Sequence, residues 1–322
     1  MLELIVCHGK GDFQTHVDPD SIDRIRQDPG KTLWLDLTAP SGDDLRLLAE
    51  EFEFHPLAIE DATRPNQRPK VDSYGSYYFV VFYCIDSKEQ EPQICTTPLY
   101  LFIGQNYLVT VHPEPIAEIQ ETLRRWREPN SPLGQDVGAL IYALLDAIVD
   151  DYFPVMDDIA DRVENLEERI FEEFDEGALQ QIFELKKDLL NMRRVVAPER
   201  DVLNVMLRRD IPVFGRDDVT YLQDVYDHIV RIIDGLDTYR DLLSSALDSF
   251  LSVQSNRLNQ TLKVLTVASI ILMSVTLVAG IYGMNFEYMP ELHWRYGNLW
   301  ALGLMLAIAA GLIAWFRRAR LL

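Results

Sequence analysis

Apolar and polar positions follow three successive rhythms along this chain. Up to about residue 135, short runs rich in β-branched and aromatic residues alternate with polar breaks: Leu2–Cys7, Lys31–Leu37, Tyr77–Ile85 and Pro98–His112. Gly, Pro, Asn and Asp bound them, which predicts strands. Gln105–Tyr107 interrupts the last run and predicts a hairpin turn. Ser41–Phe52 reads as a helix with Ser41 or Asp43 as its cap, Pro56 suits a first helical turn, and 114–127 reads as an amphipathic helix. This first region, 1–135, is therefore expected to be a mixed α/β domain.

From Gly138 to about Gly177 the period becomes helical. Ile148, Val155, Ile159, Val163, Leu166 and Ile170 form an apolar stripe opposite a heavily acidic face, with a kink expected at Pro154. Gly177 permits a turn, and 178–207 returns as an antiparallel helix, so 136–215 is an acidic helical hairpin. After Phe214 and Gly215 no proline occurs until beyond Phe286, and a helix from there to Gly280 would be about 98 Å long. Along it Ile229, Ile232, Leu236, Tyr239, Leu243, Ala246, Phe250 and Val253 step by three and four. That is a coiled-coil seam, and it predicts a homo-oligomer with a central stalk over 216–258.

The third rhythm is continuous apolarity. Between Lys263 and Tyr282 there is no charge, over about 18 residues or roughly 27 Å of helix, close to the thickness of a bilayer core. Asn259, Leu262, Thr266, Ser269, Met273, Thr276 and Gly280 share one face of this first span, 259–282, while Val, Leu and Ile fill the others. The small and polar stripe suits close packing of membrane helices or the lining of a pore. A second run, 299–316, crosses back. Arg257 and Lys263 before the first span, with Arg317, Arg318 and Arg320 in the tail 317–322, predict that both termini are cytoplasmic. The loop 283–298 is then outside, and it carries Glu287 and Glu291. The fold class is α+β: an N-terminal α/β cytoplasmic domain, a long helical hairpin, and a stalk helix continuing into the first of two C-terminal membrane helices.

Charge sharpens this reading. Lys and Arg number 30 against 51 Asp and Glu, a formal net charge of −21, which repels nucleic acid and favours cations. The three cysteines Cys7, Cys84 and Cys95 have no metal-binding spacing and suit a reducing cytoplasm. The N-terminus shows no basic region followed by a long apolar core, so no signal peptide is expected. No Gly-rich phosphate loop and no nucleophile–base pattern points to an enzyme.

The sequence Tyr282–Gly283–Met284–Asn285, followed by Met289–Leu292 (MPEL) and a short final span, resembles the CorA family of magnesium and cobalt transporters. The similarity extends to His55–Asp61 (HPLAIED) with Arg68–Lys70, and to Asp146–Phe153. It implies a plasma-membrane homopentamer carrying Mg2+ inward, with Co2+ as an alternative substrate and Ni2+ a third. It also implies that Gly283, Met284 and Asn285, with Glu287 and Glu291, form the ion entrance. Along the pore Asn259 and Thr276 would give polar rings, and Leu262, Leu265 and Met273 apolar constrictions. Asp248, about three turns before Asn259, would ring the cytoplasmic mouth. Glu60 and Asp61 would meet Asp224 of the neighbouring subunit, with Asp146 as a further ligand, in a regulatory Mg2+ site. Magnesium dehydrates reluctantly and the spans hold no carboxylate cage, so the ion is expected to enter largely hydrated. Two other readings are a zinc transporter of the ZntB type, which usually departs from GMN, and an acidic sensor domain merely tethered by its spans.

Overall fold

A computed structural model describes residues 2–9, 12–15, 17–18, 21–64, 67–86, 94–128, 134–172, 177–208, 211, 213–285 and 294–319. The strand-forming runs build β1 (Leu2–Cys7), β2 (Phe13–Gln14), α1 (Ile22–Arg26), β3 (Thr32–Thr38), α2 (Gly42–Glu51), α3 (Pro56–Thr63), β4 (Lys70–Ser73), β5 (Tyr78–Asp86), β6 (Cys95–Ile103), β7 (Tyr107–His112) and α4 (Ala117–Arg127). The sheet has seven strands in the order β2-β1-β3-β7-β6-β5-β4. Only the central β3–β7 pair is parallel, with Leu35 opposite Val109. The hairpin turn falls where Gln105–Tyr107 indicated it: Gly104 donates its N–H to the Tyr107 carbonyl at 2.9 Å. β7 is buried along its whole length and β5 along most of its own, so their apolar runs do not alternate. Ser41 accepts from the Asp44 N–H while the Asp44 side chain accepts from the Ser41 N–H, the reciprocal cap that starts α2. His55 caps α3 by accepting from the Leu57 N–H, with Pro56 in the first turn.

The helical part comprises α5 (Val137–Asp150), α6 (Tyr152–Glu172), α7 (Gly177–Arg208), α8 (Arg216–Tyr282) and α9 (Gly297–Arg318). The break between α5 and α6 comes at Asp151 rather than as a kink at Pro154. Pro154 thereby sits in the first turn of α6, where a missing N–H leaves no helical carbonyl unpaired. Pro198, by contrast, lies inside α7. α8 runs unbroken for 67 residues, about 100 Å at 1.5 Å per residue.

The chain divides into two compact units, one of residues 1–169 and 175–246, the other of 170–174 and 247–322. In the first, the supposed coiled-coil seam is not left open for identical neighbours. Ile229, Ile232, Leu236, Leu243 and Ala246 are buried within the single chain, and Tyr239 is half-buried. The hairpin itself covers them: a Cβ on Gly235 would lie 2.7 Å from the Met156 methyl, Tyr142 stacks on Tyr221 at 4.9 Å, and Arg193 pairs with Asp237. A three-four apolar step states only that a helix has one buried face, and here the chain supplies the partner.

In the second unit α9 and the apolar part of α8 are each long and apolar enough to cross a membrane, and nearly all of their surface is exposed.

Candidate functional site

On α8 the stripe anticipated from the sequence is open. Asn259, Leu262, Leu265, Thr266, Ser269, Met273, Thr276 and Gly280 are all exposed, Met273 at 72%. Reduced exposure falls on the opposite face, at Val267, Ile271, Ser274, Val275 and Val278. The stripe is therefore not consumed by packing inside its own chain. Two of its hydroxyls are used alike: Ser269 Oγ donates to the Leu265 carbonyl at 2.8 Å, and Thr276 Oγ1 to that of Leu272 at 2.7 Å. With the proton used on the helix, each oxygen keeps its lone pairs for a donor outside it. Asp248, further back on α8, is exposed as well.

At the far end of the span, Gly283 donates to Ala279 at 2.9 Å and Met284 to Ile281 at 3.3 Å, which carries the helical winding two residues past Tyr282. Gly283 does not occupy the left-handed region, so a sharp chain reversal is not what calls for glycine there. A Cβ would sit 3.1 Å from the Ala279 carbonyl oxygen, and that tight approach is the reason this structure gives. Met284 and Asn285 are exposed, while Glu287 and Glu291 lie outside the described residues.

The first unit gathers carboxylates around a histidine. One ligand atom each from Asp146, Asp150 and His228 falls within 4.8 Å of the others. His228 Nδ1 is 3.3 Å from Asp150 and its Nε2 is 3.9 Å from Asp224. The Asp150 contact has the distance of an ion pair without the angle of a hydrogen bond, so the buried Nδ1 has no hydrogen-bond partner among the described residues. An orphaned ring nitrogen facing carboxylates is the geometry a divalent cation would complete. Burial raises the Asp146 carboxyl above its usual range, Asp150 and Asp224 push it further, and His228 opposes them. Burial, with Asp146 and Asp224 beside it, lifts the Tyr142 hydroxyl to about 12.

Register explains the gathering. Asp146 and Asp150 are one turn apart on α5, as are Asp224 and His228 on α8. The start of α8 lies close to α5 at Gly138, where a Cβ would meet the Asp218 carboxylate of α8 and lie 2.9 Å from the carbonyl oxygen of Val213, just before that helix. Sequence reasoning named Asp146 and Asp224 but missed Asp150 and His228. The available signal was the repeated four-residue spacing, Asp to Asp and Asp to His.

Glu60 and Asp61 do not join this cluster within the chain. On α3 Glu60 pairs with Arg64, while Asp61 pairs with Lys70 at 2.7 Å and accepts from Gln67 at 3.3 Å. These cations relieve the cost of two carboxylates at a helix C-terminus.

A lone acidic α/β unit with two exposed apolar helices, one bearing a polar stripe, defines a two-span membrane protein of the cation-transport class. The model of the CorA-like Mg2+ transporter family matches residues 29–318, and the chain belongs to that family. It is 34% identical over 312 residues to the cobalt/magnesium transport protein CorA of Thermotoga maritima, covering 96% of this chain and 88% of the relative. The solved CorA magnesium transporter of Methanocaldococcus jannaschii superposes with a TM-score of 0.84 at 26% identity, covering 98% of this chain and 97% of that one. The cytoplasmic domain of ZntB from Vibrio parahaemolyticus shares the fold of 79% of the chain at a TM-score of 0.64, but at 12% identity. Members of this family are ion transporters, not enzymes.

Proposed function

We propose that the chain forms a homo-oligomeric channel, a pentamer by family resemblance, through which Mg2+ enters the cell down its electrochemical gradient, with Co2+ as a second substrate. The observation that carries this reading is the exposed stripe on α8. A hydrated divalent cation presents water hydrogens outward, so its path needs acceptors. The Ser269 and Thr276 oxygens and the Asn259 amide carbonyl are such acceptors, and none requires the ion to shed water. Leu262, Leu265 and Met273 between these rings would close the path by excluding water. Gly283, Met284 and Asn285 would receive the ion outside, where Glu287 and Glu291 would concentrate it, and Asp248 would draw it off at the inner mouth.

Regulation would reside in the first unit. Asp146, Asp150, Asp224 and His228 would hold an intracellular cation, with Glu60 and Asp61 of a neighbouring copy approaching from outside. Carboxylates suit Mg2+ through its waters, whereas an imidazole favours Co2+ by direct ligation. A bound cation would bridge charges that otherwise repel, and an equilibrium between closed and open states moves only by the difference in affinity between them. The zinc reading has less support, because the GMN and MPEL sequences are intact and the ZntB likeness is one of fold.

Purified protein in liposomes loaded with a Mg2+-sensitive dye tests this reading. Mg2+ entry without ATP is expected, with a loss of tenfold or more in Asn285→Ala. Asp61→Ala combined with Asp224→Ala should conduct but lose inhibition by internal Mg2+. No flux from the wild-type protein, or full flux from Asn285→Ala, would refute the assignment.

A further inference from the structure

In the first unit a cavity of about 680 Å³ opens between the segment before β4, the strands β5 and β6, and one side of α7. Its volume lies within the range of small-molecule sites, roughly 300–1,000 Å³. Arg68, Arg193 and Arg194 all border it, in a chain whose net charge is −21. Arg193 is spoken for by Asp237. Arg68 and Arg194 pair with no carboxylate among the described residues, although acids lie nearby. Asp61 is held by Lys70 and Asp201 by Arg200. In so acidic a molecule, two exposed guanidinium groups left unmatched on one concavity make a local positive field that no carboxylate among the described residues pairs with.

Glu199, next to Pro198 in the chain, does not answer it either. Glu199 is fully buried, accepts the Tyr83 N–H at 2.9 Å and contacts the Tyr152 hydroxyl at 3.2 Å. Burial lifts its carboxyl to about 8, so it stands largely uncharged at neutral pH. The rest of the lining divides between neutral polar groups, Thr96 and Asn191, and apolar walls formed by Ile94, Leu190 and Val195. Pro198 also lines the cavity, and it has no N–H to give the Arg194 carbonyl four residues earlier.

We propose that this cavity binds a phosphate-bearing organic anion of nucleotide size. Arg68 and Arg194 grip the phosphate, for which the planar guanidinium fork is matched, and the apolar walls receive the ring. Asn191 in the lining offers its amide to the polar edge of such a ring. Gln67 on the rim donates to Asp61, so an occupant touches the segment that holds this carboxylate. Binding itself does not require that link.

Calorimetric titration of the full-length protein in detergent and Mg2+-free buffer tests the proposal, using ATP and inorganic phosphate as probes. Saturable ATP binding is expected, with inorganic phosphate at least tenfold weaker. The Arg68→Gln/Arg194→Gln pair should weaken ATP tenfold or more, and Arg24→Gln, an exposed arginine on α1, should leave it unchanged. Each Arg→Lys variant should retain part of the affinity, which separates lost charge from lost fold. Absent ATP binding, equal affinity for inorganic phosphate, or equal weakening by Arg24→Gln would each overturn the proposal. Because binding is read without ion flux, its failure leaves the transport reading untouched.

Discussion

Single residues carry the sharpest consequences of burial. Glu199 has an ordinary value of 4.5 in the unfolded chain and about 8 in the folded one. A carboxyl raised on folding keeps its proton in the native state, so its share of stability is whole below 4.5 and is lost as pH rises to about 8. The slope in that window is about 1.4 kcal/mol per pH unit. Glu199→Gln preserves shape and an acceptor for the Tyr83 N–H while removing the charge. Thermal melting should therefore show the variant gaining on the wild type steadily from pH 5 to pH 8; parallel curves would contradict a buried neutral acid. His228→Ala should weaken Co2+ binding tenfold or more and Mg2+ binding by less, measured by titration of the full-length protein. Affinity at this cluster should fall as pH is lowered, because the raised Asp146 carboxyl takes up a proton and loses its charge. Asp146 and Asp224 were legible because the resemblance to a known family implies a role for those two positions. Asp150 and His228 were not, because each looks like one more polar residue on a solvated helix until the two helices are set side by side. Glu199 was hidden for the opposite reason: nothing in Pro198–Asp201 announces that one of its charged residues is wholly buried.

At the scale of elements, periodicity gave the boundaries of strands and helices but not their partners. The turn at Gln105–Tyr107, the cap at Ser41 and the unbroken α8 were all readable, since each depends on local stereochemistry. The seam on α8 was readable as a buried face and misread as an intersubunit one. Which surface covers a stripe depends on hairpin packing that lies far away in sequence. The interruption at Asp151 shows the same limit: proline predicts a break, and the fold places it three residues earlier so that Pro154 falls in a first turn. Gly138 is the residue on which the α5–α8 register rests. Gly138→Ala should cost about 1–3 kcal/mol, because a methyl must displace the Val213 backbone carbonyl as well as the Asp218 carboxylate. A lowered melting temperature together with weakened Co2+ binding is expected; unchanged melting would show that the helices are not so close.

For the whole molecule, two separate demands meet in one chain. In the proposed account an acidic body gathers cations and responds to them. Two apolar spans place a stripe of acceptor oxygens where the sequence otherwise offers only hydrocarbon. The family and fold class were legible because long apolar runs and the GMN sequence are local signals. The assembly was not, since a pore formed by several copies is a property of no single chain. The most direct measurement is thiol accessibility under transport. In a background lacking Cys7, Cys84 and Cys95, single cysteines at Ser269, Met273 and Thr276 on the stripe, and at Val275 and Val278 on the opposite face, would be treated with a charged, membrane-impermeant thiol reagent during Mg2+ flux. The account predicts that the stripe cysteines react and that their reaction blocks flux, while the opposite-face cysteines stay inert. Inert stripe positions, or equal reaction on both faces, would contradict an aqueous path along α8.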